Sequence, residues 1–192
     1  MKRLISGGAQ GSDTIFARCA LNIGVDVDIH TFKEHNVTIP PAMKKPNIII
    51  HTEEELKIAL QYVKEANKVL KRSIPPGYVR KLLCRNYYQI EHSDCVIATC
   101  KLNPNDTVDG GTGWAVQMAI MKKIPVYIFD IRLEKWMRLK DGYIICLGAN
   151  ELPDLSLYDN ITGIGSRDVT YPATKEIIKL FEIELKRRSE NE

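Results

Sequence analysis

The chain has 192 residues, enough to close a full hydrophobic core without metal or disulfide staples, and reads as one domain over 1–192. With 27 basic and 24 acidic side chains the formal charge is only +3, a balance that does not require a nucleic acid, a membrane surface or another polyanion as partner. Five cysteines, odd in number and mostly inside apolar runs, argue against a disulfide framework and for a reducing, cytoplasmic setting. The opening "MKRLISGG" lacks the apolar stretch of a signal peptide, and no apolar run reaches the ~20 residues that cross a bilayer. Cys95 and Cys100 have no neighbouring His or Cys pair to complete a zinc site, so both read as small buried hydrophobes.

In chain order, "RLIS" at 3–6 predicts a short strand, followed by the loop "SGGAQGSD" and a helix from Thr14 to Ile23 that Gly24 ends. "VDVDIH" at 25–30 predicts a second strand. The stretch from Thr31 to His51, with Pro40, Pro41 and Pro46, reads as a long loop, either a functional lid or a plain surface insertion. Leu56, Ala59, Leu60, Val63, Ala66 and Leu70 recur at three- and four-residue steps and predict a helix over 53–71. Arg85 and Asn86 fall on a further helix leading to Asp94, where they are either a surface pair or a pair that neutralises a phosphate and fixes a sugar or a loop carbonyl. The strand "CVIAT" at 95–99 leads through "DGGTGW" into a helix apolar almost all round. "PVYIFD" at 125–130, "YIICL" at 143–147 and "NITGIG" at 160–165 predict the remaining strands, and Ile177, Ile178, Phe181 and Leu185 mark a last helix after Tyr171-Pro172. Strands alternating with helices imply a doubly wound α/β fold, a mostly parallel sheet with helices on both faces.

Ligands of such sheets bind outside the carboxyl ends of the strands, and the glycines gather there. Three strand-to-helix loops carry them: Ser6, Gly7, Gly8, Ala9, Gln10, Gly11, Ser12 and Asp13 in the first; Asp109, Gly110, Gly111, Thr112, Gly113 and Trp114 in the second; Gly163, Ile164, Gly165, Ser166, Arg167 and Asp168 in the third. Each is a connection able to aim backbone amides and a helix N-terminus at an anion, and each taken alone is equally a tight turn that glycine allows. Hydroxyls of Ser6, Ser12, Thr112 and Ser166, and the guanidinium of Arg167, suit a phosphate. The carboxylates of Asp13, Asp109 and Asp168, each on a glycine loop, could serve chemistry, and those of Asp13 and Asp168 suit helix capping or turn holding equally well.

The runs "SGGAQGSD", "RNYYQIEHSD", "GGTGWAVQMA" and "PVYIFD", with Trp136 and "GIGSR" at 163–167 following, resemble the SLOG superfamily of Rossmann-like domains. That superfamily includes DNA-processing protein A (DprA), the YpsA proteins and the LOG phosphoribohydrolases, and the likeness is closest to DprA-like proteins of bacteria and phages. It covers the chain from Leu4 to about Leu185 except 31–75. In DprA-like domains "GIGSR" stands just before the strand ending in "SGGA", so its place late in this chain implies a circular permutation that would join Glu192 to Met1 and set the last strand beside the first.

The resemblance implies a nucleotide, cyclic-nucleotide or ADP-ribose-type ligand, with phosphates against 7–12 and 110–113, Arg85 and Arg167 adding charge and Asn86 orienting the sugar. No other cofactor and no metal is implied, and the relatives suggest a homodimer or higher homo-oligomer. Three activities follow: capture of the ligand by a sensor or sequestering protein; N-glycosidic hydrolysis of a nucleoside monophosphate, as in LOG enzymes; and single-stranded DNA binding, as in DprA. Against the LOG signature PGGxGTxxE the chain has Asp109 for proline, Trp114 for threonine and Gln117 for the catalytic glutamate, and an amide cannot serve as general base. The near-neutral charge supplies no basic stripe for DNA. Trp114 reads either as core or as a base-stacking surface, and of Tyr87 and Tyr88 one is expected to face inward.

Overall fold

A computed structural model describes residues 1–42, 44–140, 143–148 and 150–190. It is an α/β protein with one eight-stranded sheet in the order β3-β2-β1-β8-β4-β5-β6-β7. The strands are β1 (Arg3–Ser6), β2 (Asp26–Phe32), β3 (Asn47–His51), β4 (Cys95–Cys100), β5 (Val126–Asp130), β6 (Lys135–Lys140), β7 (Tyr143–Cys146) and β8 (Asn160–Gly165). All neighbouring pairs from β3 to β5 are parallel, while β5-β6 and β6-β7 are antiparallel. Five α-helices connect them: α1 (Ser12–Asn22), α2 (Glu53–Leu70), α3 (Tyr78–Glu91), α4 (Thr112–Met121) and α5 (Tyr171–Glu190). No helix of the described residues is long and apolar enough to cross a membrane.

Alternation along the central strands divides the interior in two. On β4, Cys95 and Ile97 join the cluster built with Phe16 of α1 and Ile177, Leu180 and Phe181 of α5, while Val96, Ala98 and Cys100 join the one built with α2, α3 and α4. A strand buried on both faces reads as a continuous apolar run, which is why "CVIAT" shows no period of two. α1 approaches the sheet closely because β8 carries Gly163, where a side-chain Cβ would lie 2.4 Å from the Phe16 ring. Full burial of Phe16 contributes about 1.5–3 kcal/mol.

Two elements escape the sequence reading. The long loop expected over Thr31–His51 contains the end of β2 and all of β3. β3 pairs only with β2, and its "NIIIH" run is short and preceded by prolines, so it resembled the loop around it. β6, "KWMRLK", carries three charged residues in six and turns back antiparallel to β5. Beyond β2, the 33–42 excursion leans on the first glycine loop: the Thr38 amide donates to the Gly8 carbonyl at 2.8 Å.

α3 is seated on a polar seam. Ser93 Oγ donates to the Gln89 carbonyl at 2.6 Å, and Thr162 Oγ1 on β8 donates to the same oxygen at 3.0 Å. Farther along the sheet, His30 and His51 meet ring nitrogen to ring nitrogen at 2.9 Å. His51 stacks on Tyr88 and His30 on His92, which brings β2, β3 and α3 together through rings. Burial drives the His30 imidazole down to about 3, with the neighbouring His51, His92 and Arg85 adding repulsion, and burial drives His35 down to about 4.

A histidine kept neutral in the fold but free to take a proton when unfolded stabilises the protein fully above its unfolded pKa near 6.5, and that stability is lost as pH falls toward the folded value. The expected result is a urea midpoint that declines from pH 6.5 to pH 4, with His30 alone contributing about 1.4 kcal/mol per pH unit. His30→Gln should flatten that slope, and equal slopes in the two proteins would contradict the assignment.

Candidate functional site

Because β1, β8 and β4 are adjacent and parallel, the three loops that leave their carboxyl ends come out side by side. The first and third touch. A Cβ on Gly11, whose φ is 103°, would stand 2.6 Å from the Arg167 carbonyl oxygen, and the Ser12 amide donates to the Ser166 carbonyl at 3.2 Å. Ser12 Oγ donates to the same carbonyl at 3.0 Å while accepting from Thr99 Oγ1 at 2.6 Å, so β4 enters the same junction. Between the three loops and the start of α3 lies a cleft of about 440 Å³.

At the base of the cleft sits Asp13, 3% exposed. Its carboxylate accepts the amides of Gly165, Ala9 and Gly7, the first of them at 3.3 Å, and faces Arg85 Nη1 at 3.7 Å. Burial raises the carboxyl above its ordinary value, and Arg85 together with the three amides opposes that rise. Arg85 is 3% exposed and donates to Gln89 Oε1 at 2.7 Å. Its guanidinium lies flat against Gly7, where a Cβ would fall 1.1 Å from Nη1. The first glycine loop is therefore glycine-rich for an internal reason: its backbone wraps a buried ion pair. The amides expected to hold a ligand phosphate at Gly7 and Ala9 are turned onto the protein's own carboxylate, and the Gly8 amide onto Ser6 Oγ at 3.2 Å.

The second loop is different. Gly110 has φ 58° and Gly111 is right-handed, a left-then-right sequence of the kind that turns successive amides toward one point in a nest. Among the described residues the amides of Gly110, Gly111 and Thr112 meet no acceptor, whereas those of Gly113 and Trp114 return to the carbonyls of Gly110 and Gly111. This nest is also the N-terminus of α4, so its partial positive charge adds to the open donors. The cleft is also lined by Arg167 and Lys101, both exposed, and by Arg85, whose Nε has no partner among the described residues. Val79, Leu82, Leu83 and Ile164 form an apolar side. Asp109 and Asp168 also reach the cleft, so its formal charges balance and the donors of the nest, not net charge, would discriminate in favour of an anion.

Of the residues expected at the site, Ala9, Asp13, Arg85, Asn86, Gly110, Gly111, Thr112, Gly165, Ser166 and Arg167 line this cleft. Ser6, Gly7, Gly8, Gln10, Gly11, Ser12 and Gly113 are not on its wall. Asn86 Nδ2 reaches the Gly111 carbonyl at 3.5 Å, at the limit of a hydrogen bond, the loop-carbonyl role open to it from the sequence. Trp114 is core, 6% exposed under the Arg72 guanidinium, and Tyr87 and Tyr88 are both buried. Gln117 is buried in α4 and absent from the wall.

Sequence reasoning missed the residues that hold the second loop. Arg72 donates to the Val108 carbonyl at 2.6 Å, to Thr107 Oγ1 at 3.1 Å and to the Gly110 carbonyl at 3.3 Å. Asp130, fully buried at the end of β5, accepts the Leu102 amide at 3.2 Å and the Arg132 amide at 2.8 Å, which anchors the start of the same loop. Arg72 looked like half of an ordinary basic pair with Lys71, and no local pattern marks it. Lys101 had no distinguishing neighbour either. A charged residue closing an apolar strand, as Asp130 does, is the one signal that was present.

No protein-family model, no curated protein and no solved structure matches the chain.

The geometry separates two glycines. Gly7→Ala places a methyl inside the Arg85 guanidinium and should cost about 1–3 kcal/mol in urea denaturation. Gly111→Ala meets only Leu83 Cδ2, at 3.6 Å, and should change stability by less than about 0.5 kcal/mol. Equal costs at the two positions would contradict the buried contact.

Proposed function

We propose that the protein binds a nucleotide or nucleotide-derived phosphorylated small molecule in this cleft, as a sensor or sequestering protein. The observation that carries the reading is the run of unbonded amides at Gly110–Thr112, whose residues line a cleft of about 440 Å³ together with Val79, Leu82 and Leu83. That volume falls in the range of small-molecule sites. A phosphate on the nest would share the cleft with the cations Arg167 and Lys101, and Val79, Leu82 and Leu83 offer apolar area for a base or sugar. Asp13 and Arg85 hold the first and third loops in register beneath it. Turnover has less support: Gln117 is away from the wall, and the Asp13 carboxylate is engaged by three amides and a guanidinium.

In the same proposal the chain is a SLOG-type, doubly wound Rossmann-like domain in permuted order. Two features support it: β8 lies between β1 and β4, and the two cores place α1 and α5 opposite α2, α3 and α4. The chain start also lies on α5, where Arg188 donates to the Met1 carbonyl. Glu192, the other half of the implied join, is outside the described residues.

The test is a thermal-shift panel of nucleoside mono- and diphosphates, cyclic nucleotides and ADP-ribose compounds. A ligand present at one hundred times its dissociation constant should stabilise the protein by about 2.7 kcal/mol. Gly111→Val should abolish the shift while the unliganded melt stays put, and Arg167→Ala should weaken binding about tenfold, as loss of one charged hydrogen bond would. Binding unchanged in Gly111→Val would overturn the site. Chromatography of the ligand after long incubation tests hydrolysis, and a gel shift at two salt concentrations tests DNA.

A further inference from the structure

β3 ends the sheet, and among the described residues its outer backbone edge has no strand beside it. Pairing β3 with β2 in the register Ile29↔Ile48 and Thr31↔Ile50 puts Ile48 and Ile50 on the face that carries α1 and α5. Neither isoleucine is covered there, being 37% and 62% exposed. Proteins normally blunt a bare apolar edge, since it is a template for another strand.

The flanks of β3 say which strand. Lys44 and Lys45 precede it and Glu53 and Glu54 follow it, and all four are exposed. A second copy aligned antiparallel about a two-fold axis at Ile49 sets Ile48 opposite Ile50 of the other copy, twice over. The same axis brings the lysines of each copy beside the glutamates of the other. Lys45 and Glu54 have no ion-pair partner within the chain among the described residues. A parallel alignment would instead gather lysine against lysine and glutamate against glutamate. The edge is thus complementary to itself in apolar pattern and in charge, the condition for an isologous interface.

We infer that two copies of this chain associate through antiparallel β3–β3 pairing, continuing one sheet across the dimer. This inference does not rest on the nucleotide reading, because β3 is at the end of the sheet and contributes nothing to the cleft wall.

Sedimentation velocity of the full chain across micromolar concentrations should show a monomer–dimer equilibrium. Ile50→Lys, at a position where the fold asks for no burial, should leave the melt unchanged and give monomer at every concentration. Lys45→Glu should raise the dimer dissociation constant about two- to fivefold, and adding Glu53→Lys, the position opposite it in this register, should restore it. A wild-type monomer, a dimer indifferent to Ile50→Lys, or species that keep growing past two copies would each overturn the inference. A charge swap without rescue would overturn the antiparallel alignment on which it depends.

Discussion

A carboxylate sealed from water must be answered by donors, and the architecture of the cleft follows from how Asp13 is answered. Three amides come from two loops, and the guanidinium comes from a third segment, α3. Removing either partner would leave a buried charge alone, a loss of several kcal/mol in other proteins. The Asp13 carboxylate therefore joins parts of the chain more than 150 residues apart, since it and the Gly165 amide are separated by 152 positions. It fixes where the first and third loops stand, and so which loop is left to face outward.

Strand order supplies the rest. With β8 inserted between β1 and β4, loops distant in sequence leave the sheet as neighbours; contact between them needs glycine at Gly11 and Gly165, and the approach of Arg85 needs it at Gly7. Those glycines serve close packing of backbone on backbone and on Arg85. Gly110 is of another kind: no atom lies within 4 Å of where its Cβ would be, and its positive φ is what bends the chain into the nest. Two chemically identical motifs thus divide the work, one building the floor and the other leaving donors free.

How much of this was legible in the sequence depended on range. Helices with a clear stripe, such as α2, and strands buried on both faces, such as β4, announced themselves because their patterns are local. The gathering of three glycine loops at one edge followed from the α/β alternation. What could not be read was which loop would spend its amides internally, because that depends on Arg85 arriving 72 positions after Asp13 in the chain. β3 was hidden for the opposite reason: an edge strand with an uncovered face carries half the pattern of a central one, and its prolines imitate a loop.

The hold of Arg72 on the second glycine loop has a chemical corollary. One flat cation reaches two carbonyls and a hydroxyl in directions that diverge, and it also covers the Trp114 ring. A lysine ammonium is a compact point charge on a flexible stem and cannot span those acceptors while lying on the indole. The exchange usually treated as most conservative is therefore disruptive here. It would preserve charge yet slacken the turn that presents Gly110 and Gly111, from a residue that is not on the cleft wall.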